Sequence, residues 1–318
     1  MRALVTGSAG HLGEALALAL RARGDEVVGL DRLPSGQTSH VGSILDAELV
    51  GRCMRGVEAV FHAATLHKPH VATHSRQAFV DTNVTGTLTL LEAASRAGVR
   101  AFVFTSTTSV FGDALTPWDG GPSVWVTEAL TPTPRNIYGA TKLAAETLCG
   151  LARRDMGVAC VILRTSRFFP EVDDDPAVRD AYGADNVKLN EFLYRRADIE
   201  DVVSAQLAAA IRAPEIGLGP YIVSATTPFG PGHLDALARD AHAVVAGVST
   251  GFEAVYARLG WRMFPTIGRV YVNDHARAEL GWTPRHDFHS MLDRVAAGGA
   301  PTSELAAVIG AKGYDRQS

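Results

Sequence analysis

Cysteine is scarce: Cys53, Cys149 and Cys160 are the only three in 318 residues. An odd number, widely spaced and each in an apolar neighbourhood, does not make a disulfide framework. These residues read as buried free thiols in a reducing compartment, and a cytoplasmic protein is expected. Charge of one sign is lacking too. Thirty-four acids against 30 bases leave a net charge of −4, so no basic face for nucleic acid is implied. No apolar run approaches the roughly 18 residues needed to cross a membrane. The N-terminus enters a strand pattern after a single arginine, with no signal-like segment. Internal repeats and low-complexity linkers are absent as well. What remains, 47% hydrophobic and 20% charged, is the composition of a soluble globular protein with one large core or two intimate ones.

The apolar run Ala3-Leu4-Val5 stops at a glycine-rich turn, and a helical pattern opens straight after Gly7-Ser8-Ala9-Gly10-His11-Leu12-Gly13. Gly7 lets the backbone turn, Gly10 lets it approach a pyrophosphate, and Gly13 lets the helix pack close to the strand. The helix start then offers free N–H groups and a positive dipole end to phosphate. The spacing is G-x-x-G-x-x-G rather than G-x-G-x-x-G, so the triplet alone is weak. Its context adds to it. A second apolar run, Val27 to Leu30, ends in Asp31, which follows Gly13 by 18 residues. That is close to the offset of about 20 expected for the acid on an adenosine ribose.

Strand and helix patterns alternate along the chain. Helices are expected over residues 11–22, 46–55 (with Asp46 as N-cap), 78–97 and 137–154. Strands are expected over 27–30, 41–45, 57–64, 101–105 and 158–163, with a Pro/Gly-rich excursion from Thr116 to Pro134. Continuous apolar runs such as 57–64 suit a parallel sheet covered on both faces. The fold class is therefore α/β, a Rossmann-type doubly wound parallel sheet with a smaller C-terminal substrate-binding part. Residues 1–166 form the dinucleotide-binding domain in this reading and 167–318 mainly the substrate part, with segments near 197–225 returning to the first. Residues 170–186, which carry Asp173-Asp174-Asp175-Pro176 and no clear period, read as an acidic loop.

Tyr138 and Lys142 stand at i and i+4, on one face if the segment is helical. A phenol titrates at about 10. A neighbouring cation and a charged nicotinamide both favour the phenolate, which then takes a proton from a substrate hydroxyl. Thr105-Ser106-Thr107 closes the fifth strand, at the edge where open α/β sheets bind ligands. A hydroxyl there orients the reacting oxygen.

With these motifs in hand the chain resembles an extended short-chain dehydrogenase/reductase of the NAD-dependent epimerase/dehydratase family. The matching residues are Thr6-Gly7, Gly10, Gly13, Asp31, Phe61-His62-Ala63-Ala64, Asn83, Gly86-Thr87, Ser106-Thr107, Val110-Phe111-Gly112, Tyr138, Lys142 and Leu163-Arg164. Weaker matches follow at Asp198, Asp201-Val202 and Leu280-Gly281-Trp282. The resemblance implies that Tyr138 is the base, that Lys142 tunes it and binds the nicotinamide ribose, and that Thr107 is the catalytic hydroxyl. It implies cofactor contacts from Gly7, Gly10, His11, Leu12, Gly13, Asp31, Arg32, Ser43, Ile44, Ala63, Ala64, Asn83, Thr105 and Phe168. Substrate contacts are implied for Ser106, Thr107, Thr108 and Arg167. Ser43 stands where the family often has an adenine-contacting Asp. Asp31 favours NAD by repelling a 2′-phosphate; adjacent Arg32 keeps NADP as the second choice.

Departures from the family pattern bear on the substrate. Thr108 and Ser109 replace the acid pair of the 4,6-dehydratases, so elimination of water is not expected. Arg167 takes the place of an Asn common in nucleotide-sugar epimerases, and Pro170-Glu171 is loosely similar to uronate dehydrogenases. Arg167 is either a fork for a carboxylate or an ordinary loop arginine. The expected activity is NAD(P)-dependent hydride transfer at a hydroxyl-bearing carbon of a sugar or sugar-like small molecule. Alternatives are a uronate-type dehydrogenase, a UDP-sugar 4-epimerase and a non-catalytic dinucleotide sensor. His70 and His74 of the set His62, His67, His70 and His74 stand at i and i+4, but Pro69 interrupts and no Cys or carboxylate is near in sequence, so a loop lining the pocket is expected and no metal. Trp118 and Trp125 read equally as a lid or as loop anchors. No nucleic acid or membrane partner is expected, and a homodimer is, through apolar residues Leu88, Leu91, Leu143 and Leu148 on the helices near 83–97 and 138–154.

Overall fold

The structure, a computed structural model, describes residues 1–171 and 175–312. The first half runs β1 (Arg2–Thr6), α1 (His11–Ala22), β2 (Glu26–Asp31), β3 (His40–Val41), α2 (Ala47–Cys53), β4 (Ala59–His62), α3 (Arg76–Phe79), α4 (Gly86–Ala97), β5 (Ala101–Thr107), β6 (Val124–Val126), α5 (Ile137–Met156) and β7 (Cys160–Thr165). After it come α6 (Pro176–Ala181), α7 (Ala184–Phe192), α8 (Ile199–Ile216), β8 (Leu218–Val223), α9 (Leu234–Leu237), α10 (Ala241–Val248), α11 (Phe252–Leu259), β9 (Arg269–Tyr271), α12 (Asp274–Leu280), α13 (Phe288–Ala296) and α14 (Glu304–Ile309).

Seven parallel strands form the main sheet in the order β3-β2-β1-β4-β5-β7-β8. Alternate residues of each strand enter opposite cores. Ala3, Val5, Phe61, Val103 and Val161 pack against α1 and α8. Leu4, Val60, Phe102, Phe104 and Ile162 pack against α2, α4 and α5. Burial on both faces explains why these strands are apolar throughout. The chain order reverses between β1 and β4, and a crevice opens beyond their carboxyl ends, the place where open α/β sheets hold ligands. A second sheet pairs β6 with β9, and a separate core of Phe192, Leu237, Tyr256 and Phe288 consolidates the C-terminal part. No helix among the described residues is long and apolar enough to cross a membrane.

Several expectations are corrected. The third strand is His40–Val41: the Gly42 amide makes its last bond to β2, on the Asp31 carbonyl (2.7 Å), and the Asp46 amide then closes a turn over Ser43 and Ile44 on the Ser43 carbonyl (3.1 Å). The helix expected over 78–97 begins at Arg76 and contains a π-helical turn over Val80–Thr85. Residues 176–186 are not loop: Asp175 N-caps α6, and α7 follows. Asp173 and Asp174 lie outside the described residues. Leu91, assigned to a subunit interface, is fully buried in its own core, whereas Leu88, Leu143 and Leu148 are half-buried. All three cysteines are free and buried.

Candidate active site

Gly7 sits at φ +74°, and a Cβ there would meet the Ala64 amide nitrogen at 2.7 Å. At Gly13 a Cβ would lie 1.9 Å from the Gly7 carbonyl oxygen, so the helix touches the turn at this point. These contacts tie β1, α1 and the end of β4 together, and only glycine fits. α1 has no side-chain N-cap. Its first amides are left for an anion, which the dipole also favours. Across the crevice, Asp31 Oδ2 accepts the Ala9 N–H and Oδ1 the Leu33 N–H, each at 2.9 Å. Each carboxylate oxygen retains a lone pair for one more donor.

A single cavity of about 1110 Å³ joins this turn to the end of β5 and the start of α5. Of the residues expected at the site, Gly7, Gly10, His11, Leu12, Gly13, Asp31, Arg32, Ser43, Ile44, Ala63, Ala64, Thr105, Ser106, Thr107, Thr108, Tyr138, Arg167 and Phe168 line it. Asn83 and Lys142 stand behind the wall. Asn83, buried at the π-helical turn, holds the loop at Thr65-Leu66 through Oδ1 (2.9 Å to both Thr65 Oγ1 and the Leu66 amide) and reaches Thr141 Oγ1 through Nδ2 at 3.0 Å. Lys142 Nζ lies 3.9 Å from the centre of the Phe104 ring.

Asn136 caps α5 by accepting the Gly139 N–H at 3.0 Å, which sets Tyr138 in the first turn facing the cavity. Tyr138 lines the same cavity as Thr107, whose side chain acts on the phenol. Thr107 Oγ1 also accepts the Ser109 N–H at 3.1 Å. Burial pushes the Tyr138 phenol up to about 12, against the opposing pull of the Thr107 side chain. Burial likewise pushes Lys142 down to about 7, against the attraction of Glu146. In the protein alone desolvation therefore outweighs the expected acidifying effect of the lysine. Ser106 lines the cavity with its hydroxyl already engaged: its Oγ donates to Glu146 at 2.5 Å, and Arg164 grips the same carboxylate at 2.8 Å. Thr105 Oγ1 is taken by Gln206 at 2.8 Å.

His11 Nε2 lies 2.8 Å from Glu171 Oε1, and the Lys312 amide meets both. His67 and His70 line it as the loop reading expected, and residues without a sequence signal join them, among them Arg135, Phe169, Arg195, Arg269 and Tyr271. They come from stretches with no readable period and converge only in the fold. The weak matches at Asp198 and Asp201 are staples rather than site residues. Asp198 caps α8 and holds Ser303, while Asp201 accepts the Arg285 and His286 amides at 2.8 and 2.9 Å. Among the described residues Asp198, Glu200 and His286 are near enough together to suggest a metal, but none lines the cavity.

Residues 3–184 match the NAD dependent epimerase/dehydratase family, more than half of the chain. The chain belongs to that family. A UDP-glucose 4-epimerase of Azospirillum brasilense is 35% identical over 189 residues, which is 56% of this chain and 51% of the relative. A 3-beta-hydroxysteroid dehydrogenase of Mycolicibacterium neoaurum is 35% identical over 157 residues, 46% of this chain and 41% of the relative. The chain spans about half the length of the curated relatives it matches. A short-chain dehydrogenase/reductase superfamily protein from Agrobacterium tumefaciens, solved with bound NAD, is 27% identical and superposes with a TM-score of 0.66 over 93% of this chain and 96% of its own. The family is NAD-dependent, and the chain's uncapped α1, its glycine contacts and the spare lone pairs of Asp31 fit a dinucleotide.

Proposed function

We propose that the cavity holds a dinucleotide together with a sugar or sugar-like molecule, and that this enzyme transfers hydride at the carbon bearing a substrate hydroxyl. The observation that carries this reading is the Tyr138 phenol, which lines one cavity with Thr107 and the glycine turn. When bound, NAD supplies the carbon that accepts or returns the hydride. Thr107 orients the substrate hydroxyl, and the Tyr138 oxygen takes its proton. Since burial holds the phenol near 12 in the protein alone, it acts as a base once positive charge is brought beside it. Lys142 and Asn83 act from behind, the first on charge and the second on the Thr65-Leu66 wall. Asp31 selects NAD over NADP, because a 2′-phosphate would face its carboxylate.

Residues 167–318, apart from α8 and β8 in the main layers, supply the substrate part. The protein works as a cytoplasmic homodimer through α4 and α5, where Leu88, Leu143 and Leu148 keep part of their surface. Sedimentation at micromolar concentration tests this, and a monomer mass refutes it. For the activity, a thermal-shift panel takes NAD and NADP first, then uronic acids, aldoses and nucleotide sugars with the stronger cofactor. NADH absorbance that accumulates marks net oxidation, whereas a fixed absorbance during turnover marks epimerisation. Wild-type protein that binds NAD yet turns over none of these would favour a dinucleotide sensor instead.

A further inference from the structure

The chain after α13 returns to the cavity. Ser303 is held on the N-cap of α8, its amide and hydroxyl donating to Asp198 at 2.9 and 2.5 Å. α14 then lays Ile309 into the core shared by α1, α8 and the main sheet. Gly310 follows at φ +61° and ψ −175°, a conformation essentially reserved for glycine. Two residues on, Lys312 lines the cavity together with Gly7, Gly10 and Asp31.

Three segments meet at that point. His11 Nε2 lies 2.8 Å from Glu171 Oε1, and the Lys312 N–H nitrogen lies 3.2 Å from both atoms. When His11 Nε2 carries its proton, Glu171 accepts both donors. The His11 and Glu171 side chains are only 6% and 13% exposed, so water competes poorly for these bonds. The Lys312 ammonium adds a contact with Glu14, one turn along α1. Both of those groups keep more of their surface, and this fastening is the weaker one. The Phe169 ring packs between His11 and His67, with centres 5.4 and 5.2 Å away, and brings the loops after β7 and β4 to the same junction. The junction leaves the anion-binding amides open: no side chain caps α1, and Lys312 bonds side chains rather than the glycine turn.

We propose that residues 303–312 form a strap across the dinucleotide turn, latched where Lys312 meets His11 and Glu171, and that the latch opens to let a dinucleotide in or out. The latch ties the glycine turn to the Phe168-Phe169 loop, and both line the cavity. Closed, it fixes these two walls relative to each other. Entry and exit pass the same barrier, so loosening it accelerates both and moves the equilibrium affinity little. The inference rests on the proposed reading of the cavity as a dinucleotide site.

The test follows NADH fluorescence by stopped flow on the full-length protein, for association and for release chased by excess NAD. Glu171→Ala removes the shared acceptor, and Lys312→Pro removes the amide N–H. Each should raise both rate constants roughly 10-fold, with Kd changing by less than about threefold. Glu171→Gln keeps an acceptor oxygen and should recover part of the slow release. Lys312→Met removes only the ammonium contact and should change either rate by less than about threefold. Rates indistinguishable from wild type in either Glu171→Ala or Lys312→Pro would overturn the strap. Faster release with unchanged association would overturn it too, because Glu171 and Lys312 would then be ordinary contacts to the dinucleotide. Wild-type protein that binds no NADH would overturn the reading of the cavity, and the strap with it.

Discussion

Arg164→Met removes one end of a buried ion pair that joins β5, α5 and β7. Arg164 and Glu146 side chains are only 7% and 6% exposed. The guanidinium donates to the carboxylate through Nη2 at 2.8 Å and Nε at 3.2 Å, and Ser106 adds a third donor. Taking away one partner strands a charge out of water, at about 3–5 kcal/mol. With an unfolding entropy of roughly 2.1 cal/mol/K per residue and 318 residues, that loss lowers the melting temperature by about 5–7 °C. Glu146→Met should cost a similar amount, since it leaves Arg164 and the Ser106 hydroxyl without their acceptor. The double variant discards both charges and retains only the unmet Ser106 hydroxyl, about 1–3 kcal/mol. It should therefore be more stable than either single variant. Urea unfolding followed by circular dichroism, with a thermal scan alongside, measures all four proteins. If Arg164→Met costs less than about 1 kcal/mol, or the two single losses simply add in the double variant, the pair is not a coupled buried unit and the reasoning fails.

Tyr138→Phe should lower kcat by roughly 100-fold or more, while the NAD-induced thermal shift stays within error; residual turnover near wild type would exclude the phenol as base. Lys142→Met should raise stability at neutral pH and below. Burial depresses the folded-state pKa of Lys142 from 10.5 to about 7, so the folded protein bears the full penalty below pH 7 and sheds it as pH rises toward 10.5. The melting-temperature gap between variant and wild type should narrow across that interval, and a constant gap would contradict the assignment. Asp31→Ala should weaken NAD roughly tenfold or more and level its affinity with that of NADP, read by titrating both dinucleotides; an unchanged preference would show that another group makes the selection.

How much was legible in the sequence follows from how far apart the cooperating residues lie. The glycine turn, Asp31 and the Tyr138 helix are local signals, and each fell where expected. The helix α7 was missed because polar residues take half of its buried positions, Asn186, Asn190 and Glu191 beside Val187, Leu189 and Phe192. Asn186 and Asn190 bind the Arg262 backbone, Asn190 also accepts the Tyr256 hydroxyl, and Glu191 pairs with Arg195 and Arg196. Hydrophobic periodicity cannot report a helix whose buried positions are filled by satisfied polar groups. The second sheet was invisible for a different reason. Its strands are three residues each and lie more than 140 residues apart, so neither carries a pattern alone.

The same distinction separates residues that line the cavity from those that hold it in shape. Motif resemblance placed Ser106, Asn83 and Lys142 among the contacts. Ser106 lines the cavity while its hydroxyl supports the Glu146–Arg164 pair; behind the wall, Asn83 pins the Thr65-Leu66 loop and Lys142 lies against Phe104. All three are at most 2% exposed. A motif records that a residue type belongs at a position, not which side of the wall its polar atom occupies. Tyr138 faces the cavity, whereas Lys142, one turn along the same helix, faces a carboxylate and an aromatic ring. Burial therefore moves both groups toward neutrality in the protein alone, the phenol by rising and the amine by falling. A site built this way is poised rather than active. Charge arriving beside Tyr138 has a large effect because the phenol is buried, where solvent screens it less.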